Sequence, residues 1–206
     1  MKKILLLMIA IILFSGCSIK NIKEDRLTII DTIFKENNLS NITSPGYKYY
    51  IPNGVSLIGR TEYNETLYSQ GDRYYLYADV VSYYNKVDIE YVENNNAYFS
   101  KKLEYKDKKG YIEITKLKDN YFVEIMYNYA KIEAYVDENN IDKTILNSGY
   151  ILSSLKFNDL LAETKLGTTE ETKNEEKLNI FVPKREEGSF LDSLDQPETD
   201  EVGKEE

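Results

Sequence analysis

The sequence predicts an α+β domain: an antiparallel sheet with one N-terminal helix and one late helix packed on it. Three observations lead there. From Tyr47 to Phe157 most residues run at period two, the spacing that sends alternate side chains to opposite faces of a strand. All 19 tyrosines lie between Tyr47 and Tyr150, and Tyr is a strand former whose ring packs on a sheet while its hydroxyl reaches water or a partner. Helical spacing appears only before this stretch and near its end. That order, a helix, many strands, a helix and a strand, suits helices packed on an antiparallel sheet.

In chain order, Lys23–Lys35 places Leu27, Ile30, Ile33 and Phe34 at helical spacing, with Glu24 and Asp25 favourable in the first turn. Asn37-Asn38 ends this helix, and Ser40–Gly46 reads as a loop closing at Pro45-Gly46. Tyr47–Ile51 is a short strand stopped by Pro52-Asn53-Gly54. Val55–Gln70 reads as one strand or two broken ones, and Gly71-Asp72 turns into a strand over Arg73–Asn85. Lys86–Asn96 has no clear period. A three-strand meander follows: Ala97–Tyr105, a loop over Lys106–Gly110, Tyr111–Leu117, a turn at Lys118-Asp119-Asn120, then the strand from Tyr121. Alternation puts Tyr121, Val123, Ile125, Tyr127 and Tyr129 on one face and Glu124 and Asn128 on the other, which is expected to meet solvent in part. Lys131–Val136 continues as strand. Asp137 is the expected N-cap of a helix over Glu138–Ser148, Gly149 its stop, and Tyr150–Phe157 the final strand.

The N-terminal stretch has a different character. Lys2 and Lys3 precede the unbroken apolar run Ile4–Phe14, and Ser15-Gly16 supplies small residues next to a cleavage point. The run is too short for a bilayer core, which takes about 20 residues. It reads as a signal peptide over residues 1–16. The chain's single cysteine, Cys17, follows directly. The small pair before this cysteine resembles the lipobox of bacterial lipoproteins, although Phe14 stands where that family usually has Leu. The resemblance implies a diacylglycerol on Cys17 and an anchor in the membrane. Two acyl chains hold stably where one does not, at about 0.8 kcal/mol per buried methylene. Residues 17–22 are then a short tether, 23–160 the domain and 161–206 a tail. The Ile-, Lys-, Asn- and Tyr-rich composition, with Ser18 after the cysteine, points to the outer face of a Gram-positive-type cell membrane. The element order over about Tyr47–Asn158, with an early aromatic strand ending in Ile51-Pro52-Asn53-Gly54 and a late helix feeding Tyr150–Phe157, is similar to the PsbP-type α/β/α sandwich. That similarity implies a fold and no functional residue.

Charge is spread unevenly. The body is near −3 and the tail from Leu161 near −8, so neither offers the basic stripe that a phosphate backbone requires. No nucleic-acid partner is expected. The chain has no histidine and no second cysteine, which removes imidazole acid/base chemistry, Ser-His-Asp and Cys-His nucleophiles, thiolate or imidazole zinc sites and disulfides. No cofactor is expected. Ala162–Lys177 is a Glu/Thr/Lys stretch with too few apolar residues to offset its ordering entropy, and the whole tail is expected to be disordered. As a free coil it spans on the order of 40 Å. Two apolar islands interrupt it. Ile180-Phe181-Val182-Pro183 can add a strand to an exposed edge, and Phe190-Leu191-Asp192-Ser193-Leu194 can form one amphipathic turn, so Phe181, Phe190, Leu191 and Leu194 are candidate partner-binding residues. The plainer reading is incidental hydrophobics in a coil.

The remaining constellations are weaker. Ser153-Ser154-Leu155-Lys156 matches Ser-x-x-Lys, but the Ser-Asp-Asn-like and Lys-Thr-Gly-like partners of that machinery are missing, so an ordinary terminal strand is the better reading. Asp137–Asp142 departs from a calcium loop where Ile141 takes a ligand position. Asp88, Glu90 and Glu93 read as a solvated strand edge. Asp79 stands among Ala78, Val80 and Val81, where an unpaired buried carboxylate would be costly; an outward-facing residue, a bulge or a pairing with Arg60 or Arg73 explains it better than a site acid. Asn38, Asn41 and Asn64 match the glycosylation acceptor pattern, by chance in so Asn-rich a chain. Several tyrosines should remain exposed as a recognition face, since Tyr is enriched at binding surfaces. The expectation is a non-enzymatic envelope lipoprotein that binds an envelope protein through the domain or the tail. The alternatives are a carboxylate-dependent hydrolase of wall glycans, needing two acids about 5–9 Å apart in a cleft, and a ligand-binding domain with a Tyr-lined pocket.

Overall fold

The computed structural model describes residues 22–36, 38–61, 64–158 and residue 183. Helix α1 spans Ile22–Ile33, and strands β1 (Ile42–Ser44) and β2 (Tyr47–Tyr49) form a small hairpin. Then come β3 (Ser56–Arg60), β4 (Asn64–Ser69) and β5 (Asp72–Ala78), and a short helix α2 (Val80–Tyr84). Four further strands follow, β6 (Phe99–Tyr105), β7 (Lys108–Lys116), β8 (Tyr121–Tyr127) and β9 (Ala130–Val136). A 3-10 turn at Glu138–Asn140 leads into α3 (Ile141–Ser154), and β10 (Lys156–Phe157) ends the domain. The large sheet has seven antiparallel strands in the order β3-β4-β5-β9-β8-β7-β6; a second sheet joins β1, β2 and β10. Helices α1 and α3 cover the inner face of the large sheet, where Leu67, Leu76, Ile112, Ile114, Val123, Ile125 and Ile132 meet Ile30, Ile33, Ile141, Ile145 and Leu152. The fold class is the expected one.

Two hairpins close on two-residue turns whose backbone is left-handed at both positions, Gln70-Gly71 and Asn128-Tyr129. Such turns match the twist of the flanking strands. Tyr129 is therefore a turn residue, at φ 64°, and not the last member of the β8 face. Its conformation is held by a hydrogen bond from its hydroxyl to the Val87 carbonyl (3.0 Å) and by one from the Asp79 amide to its own carbonyl (2.8 Å). The β6–β7 connection is also only two residues, Lys106 and Asp107, so Gly110 lies inside β7 rather than in a loop. A Cβ there would fall 2.0 Å from the Met126 carbonyl oxygen. The stretch read as the loop Ser40–Gly46 holds β1, because Asn41 and Ile51 pair through backbone and side chain and bring the hairpin together.

Three readings are corrected by packing. The strand expected over Arg73–Asn85 stops at Ala78: Asp79 accepts a hydrogen bond from the Ser82 amide (2.8 Å) and starts α2. It is a buried helix cap rather than an outward-facing residue. The late helix does not stop at Gly149 but runs to Ser154, and the strand expected over Tyr150–Phe157 shrinks to Lys156–Phe157. Ile145, Ser148, Ile151, Leu152 and Leu155 keep one side of α3 in the core, and this outweighs the helix-breaking tendency of one glycine. Asp137 makes no side-chain cap. Ser153 of the Ser-x-x-Lys pattern consequently sits on the helix, not on a strand.

The fourth correction concerns the outer face of the sheet. Every residue of β8 is buried, Glu124 included. Residues 86–98 form no strand; they cross the outer face of β6–β8 as an irregular strap. Ile89 and Tyr91 pack on Tyr111 and Met126, with the Tyr91 and Tyr111 rings stacked at 4.5 Å. Asp88 and Glu93 are thus strap residues, paired with Lys109 (2.6 Å) and with the Lys102 amide (2.9 Å).

Candidate functional site

Register brings a row of acids together that no sequence spacing reveals. Glu113 of β7 stands opposite Glu124 of β8, and Glu124 opposite Glu133 of β9, all pointing to the outer face. Adjacent strands are about 5 Å apart, so these carboxylates are immediate neighbours. All three are nearly inaccessible, at 1–3% exposure, and so is Lys131 at 2%. The Lys131 ammonium lies 3.0 Å from Glu124 and 2.9 Å from Glu133. Burial alone would push that ammonium down, but the two carboxylates hold it above the ordinary lysine range. Tyr111 donates to Glu124 (2.7 Å), while Tyr91 (2.7 Å) and the Asn94 side-chain amide (2.8 Å) donate to Glu113. Burial and the nearby carboxylates keep the Tyr111 phenol neutral well beyond its usual range. This is a buried ion and hydrogen-bond network beneath the strap, and its acids line neither groove described below.

A second buried carboxylate sits on the inner face. Glu65 of β4 accepts hydrogen bonds from the hydroxyls of Ser44, Tyr47 and Tyr49 and from the Arg60 guanidinium (3.2 Å). Burial and then the Glu65 charge push both phenols above their ordinary range. Glu65 thereby ties the small β1–β2–β10 sheet to the large one. Arg26 does comparable work between elements: it pairs with Asp142 at the start of α3 (2.6 Å), and its guanidinium lies over the rings of Tyr98 and Phe99 at the start of β6.

The larger concavity, about 350 Å³, runs between α1 and the edge strand β6, lined by Ile30, Phe34, Leu103 and Tyr127 with Lys35 and Glu104 among its charged groups. Glu104 pairs with Lys102 (2.7 Å), and that ammonium holds the Glu104 carboxyl below its ordinary range. A smaller cavity of about 80 Å³ lies among Asp88, Asp107, Lys109 and Tyr129. No cluster of three or more potential metal ligands occurs among the described residues.

Among the exposed large apolar side chains, Tyr68, Tyr98, Leu117 and Tyr135 lie at the end of the large sheet where β8 begins, and Val81, Tyr84 and Val87 at the other, on and just after α2; the most exposed, Leu39, Val92 and Ile58, stand between α1 and β1, in the strap and in β3. Cys17, Phe181, Phe190, Leu191 and Leu194 lie outside the described residues. Pro183, within the first apolar island of the tail, is described and is buried. No described helix is long and apolar enough to cross a membrane. Sequence reading passed over Lys131, Glu65 and Arg26. The available signal for Lys131 was a charged residue in a strand otherwise made of Ala, Ile, Glu, Tyr and Val, but its partners are set by register. Neither a protein-family model, nor a curated protein, nor a solved structure matches the chain.

Proposed function

We propose that this is an envelope lipoprotein, anchored by diacylglycerol on Cys17 to the outer face of the cell membrane, whose domain binds another envelope protein without transforming it. The observation that carries the binding reading is the exposed apolar group Val81, Tyr84 and Val87, three large side chains within seven residues on one end of the domain. Apolar and aromatic groups clustered in this way mark interaction sites more often than isolated ones do. The buried acids support the same reading, since Glu65, Glu113 and Glu124 are each engaged by hydroxyl, amide or cationic donors. The apolar islands of the tail, around Phe181 and Phe190-Leu191-Leu194, are a second contact for the same partner.

The experiment is in-cell photocrosslinking from position 87, run in the full-length protein, in its Tyr84→Ser variant and in a version ending at Leu160. A specific protein captured from position 87, and lost or weakened at least tenfold by Tyr84→Ser through removal of a central aromatic, supports the reading. Capture that survives Tyr84→Ser but vanishes on truncation moves recognition to the tail. Turnover of purified wall glycan by the intact protein would overturn the non-enzymatic reading.

A further inference from the structure

We propose that the end of the large sheet bearing Tyr68, Tyr98, Leu117 and Tyr135 lies against the membrane surface; this rests on the lipidation of Cys17. The direction of α1 carries the argument. Arg26, in its second turn, lies over Tyr98 and Phe99, where β6 begins, whereas Phe34 just beyond its end packs on Tyr127, where β8 finishes. The hydroxyl of Tyr127 also donates to the Phe34 carbonyl. Helix α1 therefore starts at the end of the sheet where β8 begins and β7 and β9 finish. Residues 18–21 alone separate Ile22 from Cys17. Five extended peptide steps reach at most about 17 Å. A lipid on Cys17 thus holds this end, and no other, within one strand length of the headgroups.

The side chains at this end suit an interface. Tyr68 is 42% exposed, Tyr98 41%, Leu117 39% and Tyr135 38%. They come from four different strands or turns, which the antiparallel order brings to the same end of the sheet. Tyr rings favour the boundary between apolar and wet regions. Leu117 tips the β7–β8 turn between the exposed Lys116 and Lys118, whose stems can lie along the acyl boundary while their ammonium groups stay among phosphates. Asp72, Asp119, Asp137 and Glu138 occupy the same end. The contact is consequently interfacial rather than an electrostatic attraction to anionic lipid. The opposite end, with Val81, Tyr84 and Val87, points away from the membrane and toward other envelope components.

The chain's single cysteine makes a clean test, because lipidation consumes its thiol. Single cysteines are placed at Leu117 and Tyr135 on the proximal end and at Lys106 and Asp107 on the distal end, all exposed. Each is reacted with a bulky polyethylene-glycol maleimide in the lipid-anchored full-length protein, and in the same variants carrying Cys17→Ala in solution. Leu117→Cys and Tyr135→Cys should react roughly tenfold more slowly when anchored, as a tenfold preference for the docked state requires. Lys106→Cys and Asp107→Cys should keep their solution rates. Uniform rates in a protein whose mass confirms lipid on Cys17 overturn the orientation alone. A membrane fraction whose Cys17 carries no lipid overturns both the orientation and the lipoprotein reading.

Discussion

Lys131 is the residue on which the outer network depends, for it is the described cation between Glu124 and Glu133 in a site with almost no water. Removing one partner of such a pair costs far more than the pair itself contributes, because the remaining charges stay buried. Lys131→Met should destabilise the domain by about 3–5 kcal/mol at pH 7 in urea melts. Adding Glu124→Gln and Glu133→Gln should recover part of the loss. A small deficit, or none, would refute the network. At this scale the sequence was legible only in part. The types were visible, but Lys131 and Glu124 are seven positions apart and meet across a hairpin.

At the scale of elements, α1 packs closely against α3, and Gly149 permits it. A Cβ at this position would stand 2.6 Å from Ile33 Cγ2 and 2.9 Å from Cγ1. Ala would favour the helix by about 1 kcal/mol, but crowding a packed core costs about 1–3 kcal/mol. Crowding should win, because Ile33 is itself buried. Gly149→Ala is expected to lower the melting temperature by several degrees; a rise would mean the helices separate freely. This glycine also explains the misreading of α3. A glycine after an apolar run reads as a helix stop, and only the crossing of a second helix shows another purpose. The meander β6–β9 was largely legible because alternation and turn residues are local. The strap over residues 86–98 was not, since it has no period of its own and is shaped by Tyr111, Met126 and Glu113 beneath it.

For the whole molecule, the buried phenols set a limit in alkali. Tyr47, Tyr49 and Tyr111 are pushed upward by burial and then by neighbouring carboxylates, and Tyr127, by burial and then by Asp107, to about 12. Lys131 is also raised, by Glu124 and Glu133 acting against its burial. Groups with raised folded values give stability that is complete below their unfolded values and is lost as pH climbs through the folded ones. Stability should therefore hold to about pH 10, the ordinary tyrosine value, and decline above it. In an absorbance titration of phenolate, these tyrosines should ionise together with the loss of far-ultraviolet circular dichroism. Smooth ionisation of every tyrosine with the fold retained would sink this expectation.

What the sequence determined by itself is whatever depends on neighbours along the chain: strand alternation from Tyr47, the first helix, several turns, the excess of acid in the tail, and the signal-like segment before Cys17 on which the proposed anchor rests. What only the tertiary structure decided depends on residues far apart in sequence. It aligned Glu113, Glu124 and Glu133 in one row, buried Lys131 among them, drove α3 past Gly149, and gathered Tyr68, Tyr98, Leu117 and Tyr135 at one end. The physical reason is that a strand's period names its two faces, whereas burial and partners come from register and from the layer that packs above it.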